Sequence, residues 1–290
     1  MSPRGAVAPA VSRATGAARA LSVAAAASLG AMLVLPIVAL LTFAPLSSLV
    51  NAARDPQFRD ALGFTLAATG MATGIALALG VPLGYLLARR SFRAKPFVEA
   101  VVTLPTLVPH LLVGIALVIL FDPSTFFGAA LTRLGIPILG TVYGAVAVLT
   151  FVSASYAVTA SQIAFERVDP TVLEVARTLG ASPPTAFRTV TLPIAVRGIV
   201  TGGLLAWGRG VSEVGGLLII AYTIYPVPPF GGPVTNPASV YIYQVYTIFG
   251  LPAAAPLGAL LILVGFAVFV GVRLLERVGR AVWWRTEARA

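Results

Sequence analysis

The chain has 290 residues, of which 58% are hydrophobic and only 10% charged, with a formal net charge of +10 and a mean hydropathy of +0.94. An ordinary soluble domain carries about 25% charged residues, so this chain cannot cover a water-facing surface; its apolar residues also fall in long blocks, not at amphipathic spacing. Cysteine is absent and His110 is the single histidine, which excludes disulfides, thiolate chemistry and multi-histidine metal sites and leaves no catalytic constellation in view.

A helix needs about 20 apolar residues to cross the hydrocarbon core. Six blocks meet that length: 22–46, 62–88, 98–121, 141–164, 194–222 and 253–275. The expected fold is therefore all-α, a polytopic membrane protein with six transmembrane helices over 22–275, an N-terminal tail at 1–21 and a C-terminal tail at 276–290. The first block follows an Arg-bearing start, as a signal peptide does. Its apolar stretch exceeds a 7–15-residue signal core, so it is taken as a retained span.

Cationic loop residues stay on the cytoplasmic side. Arg4, Arg13 and Arg19 precede the first span, and Arg89, Arg90, Arg93 and Lys95 follow the second. Arg167, Arg177, Arg188 and Arg197 follow the fourth, and Arg273, Arg277, Arg280, Arg285 and Arg289 end the chain. The opposite side carries Arg54, Arg59 and Arg133, while Arg209 lies inside the fifth block. Both termini are expected in the cytoplasm. The basic excess is a topology signal and a match for anionic lipid; no nucleic acid is implied.

The connection 47–61 is short and balanced, Arg54 and Arg59 against Asp55 and Asp60. Asp122-Pro123-Ser124 and Gly135-Ile136-Pro137 read as turns. The stretch 222–252 has no charge and is rich in proline and glycine, with a short helix expected at 239–249. Such a stretch either folds back against the bundle and lines a cavity or hangs as a plain external loop. No internal repeat of the secondary-transporter kind is visible.

Residues 165–193 differ from the rest. Asp169 can cap a helix with Pro170 at its first position, and Gly180 can end it in the left-handed conformation. Ser182 can cap a second short helix with Pro183 at its start, which Leu192-Pro193 is expected to stop before the fifth span begins. A helix–glycine–helix knob at the membrane suits docking to a soluble partner, or an amphipathic pair lying on headgroups.

Glu174-Val175-Ala176, then Gly180, then Val190-Thr191-Leu192-Pro193 resembles the EAA signature of ABC-importer permeases: Glu-Ala-Ala, three residues, Gly, nine residues, Ile-x-Leu-Pro. Val175 and Val190 depart from that pattern conservatively. The resemblance implies the type I importer permease fold in the cytoplasmic (inner) membrane, with Glu174, Ala176, Gly180, Leu192 and Pro193 coupling the chain to an ATPase. It extends over about 62–272, where 80–89 is similar to the second-span ending of such permeases. Leu104-Pro105-Thr106-Leu107-Val108-Pro109-His110 and Arg209-Gly210-Val211-Ser212-Glu213-Val214-Gly215-Gly216 are similar to molybdate/tungstate permeases, as is the run Ile242-Tyr243 to Phe249-Gly250-Leu251. An apparent insertion near 228–236 departs from that branch, and sulfate/thiosulfate permeases share much of the pattern.

Inside the membrane, Arg209 and Glu213 are four apart and are expected on one face of the fifth span. They either give a dianion pathway positive potential or form an internal ion pair that fixes packing or a gate. His110 follows Pro109 and Pro105, which can kink the third span. Thr103, Thr106, Ser212, Tyr222 and Tyr241 offer neutral donors. The candidate path or gate is thus Arg209, Glu213, His110, Thr106, Ser212 and Tyr222. No Gly-x-x-x-x-Gly-Lys-Ser/Thr sequence occurs, so this chain holds no ATP by that motif and no cofactor of its own is expected. The resemblance implies a homodimer of the permease, two ATP-binding subunits carrying the ATP, and an extracytoplasmic substrate-binding protein. The chain is then a transport subunit and not an enzyme, working by alternating access. A self-sufficient secondary transporter or channel is the rival from another class.

Overall fold

The computed structural model describes residues 16–287, with side chains over 18–275. The tail cations Arg4, Arg13 and Arg289 lie outside the described residues, as do the side chains of Arg277, Arg280 and Arg285. Thirteen α-helices and one π-type turn make up the described fold, and no strand occurs among the described residues beyond two isolated bridges.

The first helix, α1 (Gly16–Phe43), already begins within the expected tail. Next, α2 (Leu46–Arg54) occupies the connection read as a short loop. Then α3 (Pro56–Arg89) starts before residue 62, because the Asp55 carboxylate accepts the Gln57 amide and Pro56 takes the first helical position.

The third expected span is not continuous. It divides into α4 (Lys95–Leu107) and α5 (His110–Phe121), bent by 112°. Pro109 has no amide hydrogen, and its ring bars the preceding residue from helical backbone; Val108 is accordingly extended at φ −78°, ψ 129°. At the Asp122 turn the carboxylate accepts both the amide and the hydroxyl of Ser124. The turn leads into α6 (Phe126–Arg133), and α7 (Val142–Glu166) is the fourth span. Five helical stretches are long and apolar enough to cross a membrane: 18–43, 56–89, 142–166, 183–211 and 251–275; the bent α4–α5 pair makes six.

Beyond α7 come α8 (Pro170–Thr178) and α9 (Pro183–Ala186). Leu192-Pro193 does not stop the second short helix, contrary to the sequence expectation. The chain passes through a π-type turn at Phe187–Thr191 straight into α10 (Leu192–Val211). Pro193 cannot donate to the carbonyl four residues back and would press its ring against it; a widened turn relieves both conflicts. The fifth span also breaks. After α10, residues 212–214 are non-helical and α11 (Gly215–Ile220) follows. The chain continues through α12 (Ala238–Phe249) and α13 (Leu251–Glu287), which overruns the expected end at 275.

The centre of the bundle is α3, α7 and α10, packed through small residues. Ala76, Ala157 and Ala206 are buried together. A Cβ on Gly84 would come within 2.8 Å of the Gln162 amide nitrogen, so α3 and α7 approach as closely as backbones allow. A larger apolar cluster joins Ala72, Val148 and Leu149 to Leu217 and Ile220 of α11 and Val240 of α12.

Residues 222–237 fold back onto the bundle. Ile224 bridges Thr235, Tyr143 donates to the Pro228 carbonyl (3.0 Å), and the Phe230 ring meets Tyr143 edge to face. With α3 this segment, including the apparent insertion, lines a cleft of about 350 Å³ bounded by Arg59, Phe64, Met71 and Tyr225.

Candidate functional site

Two constructions stand at different levels of the bundle. The first is the knob at residues 165–193. The Asp169 carboxylate accepts the Thr171 amide (2.8 Å), and this bond holds it below its ordinary value of 3.8. Gly180 ends α8 at φ +90°, a backbone that residues with a Cβ adopt only under strain. Ser182 accepts the Thr185 amide and begins α9. Both caps and the glycine stand where the sequence placed them.

The knob is tethered from beneath. Tyr85 of α3 packs edge to face on Phe165 and Phe187 at about 5 Å, and Arg89 donates to the Val168 carbonyl (2.9 Å). Val172, Val175 and Leu179 point outward, Leu179 being 83% exposed. Glu174 and Gly180 are exposed and Ala176 half-buried, whereas Leu192 and Pro193 lie in the first turn of α10. The knob is thus a tethered pair of short helices that presents an apolar edge and an exposed carboxylate.

The second construction joins the two breaks. Glu213 is not on a helix with Arg209, as the spacing suggested, but in the non-helical link. The pairing survives all the same: Arg209 Nη2 lies 2.6 Å from Glu213 Oε2. Glu213 is wholly buried, the Arg209 side chain is 15% exposed and that of His110 is 52% exposed. Glu213 Oε1 accepts the Gly216 amide (2.7 Å) and so starts α11. Arg209 Nη2 also reaches His110 Nδ1 at 2.7 Å. The same ring nitrogen lies 3.5 Å from Glu213 Oε2. Arg209 Nη1 approaches the Ser212 hydroxyl at 3.4 Å. One carboxylate therefore closes the end of α10, the start of α11 and, through Arg209, the start of α5.

Glycines allow this closure. A Cβ on Gly114 would lie 2.8 Å from the Gly216 carbonyl oxygen, and one on Gly215 2.8 Å from His110 Cβ. From Leu192 to Arg209 along α10 is about 25 Å, so the cluster and the knob occupy opposite ends of the fifth span.

The remaining candidates do not join this cluster among the described hydrogen bonds. Thr106 turns back on its own helix to the Thr103 carbonyl (2.7 Å), and Thr103 likewise to Glu99. Tyr222 lies beyond α11, its carbonyl held by Asn236 Nδ2 (2.6 Å). Tyr241 donates to Asp55 Oδ2 (2.8 Å); burial, with this bond, pushes its phenol up to about 12. The sequence reading assigned no role to Thr65 and Ser239, which fasten the start of α12 to α3 and to the Glu213 backbone. An isolated Ser or Thr in an apolar run gives no signal of its own.

Broken and continuous apolar spans thus form one helical bundle, with the knob at one end of the fifth span. The chain belongs to the family of binding-protein-dependent transport system inner membrane components, matched over residues 80–279. It is a multi-pass protein of the cytoplasmic membrane and a permease subunit of an ABC importer, a class of transport subunits and not of enzymes. The molybdate/tungstate transport system permease protein WtpB of Pyrococcus abyssi is 36% identical over 88% of this chain and 95% of its own length. WtpB of Pyrococcus furiosus is 36% identical over 78% and 81%. The sulfate transport system permease protein CysT of Salmonella typhimurium is 27% identical over 84% of this chain and 91% of its own. Among solved structures, the fold is shared with a bacterial alginate ABC transporter in complex with an alginate pentasaccharide-bound periplasmic protein. The TM-score there is 0.67 at 18% identity, over 89% of this chain and 93% of that one.

Proposed function

We propose that this chain translocates a tetrahedral oxyanion, molybdate or tungstate, across the cytoplasmic membrane by ATP-driven alternating access. The observation that carries the reading is the 36% identity to molybdate/tungstate permeases over nearly the whole chain. Two copies form one path; two ATP-binding subunits supply hydrolysis, and an extracytoplasmic binding protein delivers the anion. Sulfate is the second substrate reading, favoured by the likeness to CysT.

In this reading the knob end faces the cytoplasm, consistent with Arg89, Arg90, Arg93, Arg167, Arg177 and Arg188 gathering there. Both termini then lie on the same side. Glu174, Ala176 and Gly180 couple the chain to the ATPase: Val172, Val175 and Leu179 seat in an apolar cleft of the partner, and Glu174 meets a cation. Leu192 and Pro193 pass the motion into α10 through the widened turn. At the far end of α10, Arg209, Glu213, His110 and Ser212 form the gate. With Arg209 neutralised by Glu213, a passing dianion meets donors without being trapped by an unpaired cation. Thr106 and Tyr222 border the path.

The coupling half is tested by reconstituting the chain with its ATP-binding subunit and binding protein in vesicles. The chain has no native cysteine, so Leu179→Cys or Val175→Cys gives a unique crosslinking site. The expected result is a crosslink to the ATP-binding subunit, and loss of stimulated ATP hydrolysis in Glu174→Arg. A crosslink to lipid alone, with hydrolysis intact in Glu174→Arg, contradicts it.

A further inference from the structure

The end of α12 enters the bundle where the fifth span breaks. Most of α12 from Tyr243 onward is exposed, yet Ala238, Ser239 and Val240 are buried. The Ala238 amide donates to Thr65 Oγ1 of α3 (2.7 Å), and Ser239 Oγ donates to the Glu213 carbonyl (2.6 Å). Glu213 is the residue whose carboxylate holds Arg209 and caps α11. Val240 packs in the same apolar cluster as Leu217 and Ile220 of α11.

Tyr241, still in the first turn of α12, donates to Asp55 at the α2–α3 junction, the end of α3 away from the knob. Toward the other end of the helix Tyr243, Tyr246, Ile248 and Phe249 stand exposed. The element is therefore continuous from an outward face to the buried break. In an uncharged, proline-rich stretch it is the one helix, and Pro237 sets its start. Coupling between two places needs an element that touches both and moves as a body. Among the described residues α12 meets that condition through Ser239.

We infer that Ser239 is a positioning residue, through which α12 acts as a strut transmitting load on the outward face to the Glu213–Arg209–His110 cluster. This rests on the reading above, in which a binding protein delivers the anion on the side away from the knob and the cluster is the gate. Ser239 touches no substrate in this scheme. It sets where the Glu213 backbone sits, and hence whether the carboxylate can hold Arg209 and α11 together. Removing its hydroxyl leaves the knob and the α3–α7–α10 core intact, but takes away the hydrogen bond that ties α12 to the Glu213 backbone.

Two measurements test the strut. In vesicles holding the full complex, ATP hydrolysis is measured with and without molybdate-loaded binding protein. Ser239→Ala is expected to keep basal hydrolysis while its stimulation falls at least about fivefold, the lower edge of ordinary coupling between sites. Ser239→Thr, which keeps the hydroxyl, is expected to restore most of it. Full stimulation in Ser239→Ala, or a proportional loss of basal and stimulated rates, overturns the strut. The second measurement uses the chain alone and needs no partner. Amide exchange over 213–220 is expected to rise at least about fivefold in Ser239→Ala and not in Ser239→Thr. Unchanged protection there overturns the strut even if the transport reading holds. A wild-type complex that hydrolyses no ATP, with exchange behaving as expected, counts against the transport reading alone.

Discussion

Removing the Glu213 carboxylate should destabilise the chain more than almost any other single truncation in the fifth span. The group is wholly buried, lies 2.6 Å from Arg209 and accepts the Gly216 amide at 2.7 Å. Glu213→Ala strands a guanidinium that is only 15% exposed. Breaking a buried pair from one side costs about 3–5 kcal/mol. The uncapped Gly216 amide carries a further penalty of about 1–3 kcal/mol. The His110 ring still lies 2.7 Å from Arg209, so the lower part of the combined range, about 4 kcal/mol, is expected. Glu213→Gln keeps an oxygen for Gly216 and should cost less. Arg209→Met with Glu213→Gln strands no charge and should be more stable than the sum of its single changes by about 2 kcal/mol. Thermal unfolding in detergent reads these differences, with Trp207, two residues from Arg209, as a fluorescent reporter. If the two single changes add within about 0.5 kcal/mol, the pair is not the tie described above.

Close approach of α5 and α11 gives a second expectation. Gly114→Ala drives a Cβ against the Gly216 carbonyl and should lower stability by about 1–3 kcal/mol, whereas Gly74→Ala, with nothing within 4 Å, should be neutral or stabilising by up to about 1 kcal/mol; the same unfolding measurement separates them. Gly180→Ala meets open space but a φ of +90°, so it should cost about 1–2 kcal/mol of backbone strain and weaken ATPase stimulation without unfolding the span. Asp169 sits below its ordinary value in the folded chain. Its capping contribution is therefore present above that value and lost as pH falls below it, so protection of the Thr171 amide should hold at about pH 6 and fade only as pH is taken below 3.8, while Asp169→Asn should show no such step.

Hydropathy made the continuous spans legible, because α1, α3, α7 and α13 are long apolar blocks. The knob was legible from chemistry: Asp169-Pro170, Gly180 and Ser182-Pro183 act locally and need no tertiary context. The bend in the third span was legible too, from Pro105 and Pro109; the break in the fifth span was not. An apolar run reads the same whether the helix continues through Val211 or stops there, and the decisive contact, Glu213 Oε1 with the Gly216 amide, forms between a side chain and the backbone that follows the break. Ser212-Glu213 followed by Gly215-Gly216 was the available signal, polar groups and glycines where a helix would want neither. In the same way, Asp55-Pro56 outweighed the hydropathy boundary at residue 62, since a cap and a proline at the first position start a helix regardless of how polar its first turn is. Arg209, Glu213 and His110 were nameable as rare polar groups in lipid; that one carboxylate would join three helix ends was not, because His110 is 99 residues from Arg209 in sequence.

The most direct test of the transport reading is uptake itself. Vesicles containing this chain, its ATP-binding subunit and the binding protein are loaded with ATP on the knob side and offered labelled molybdate, tungstate or sulfate on the other. The expected result is ATP-dependent accumulation of molybdate and tungstate in preference to sulfate, abolished by Glu174→Arg. Accumulation that needs no ATP-binding subunit and survives Glu174→Arg would place the chain among self-sufficient transporters or channels and contradict the account.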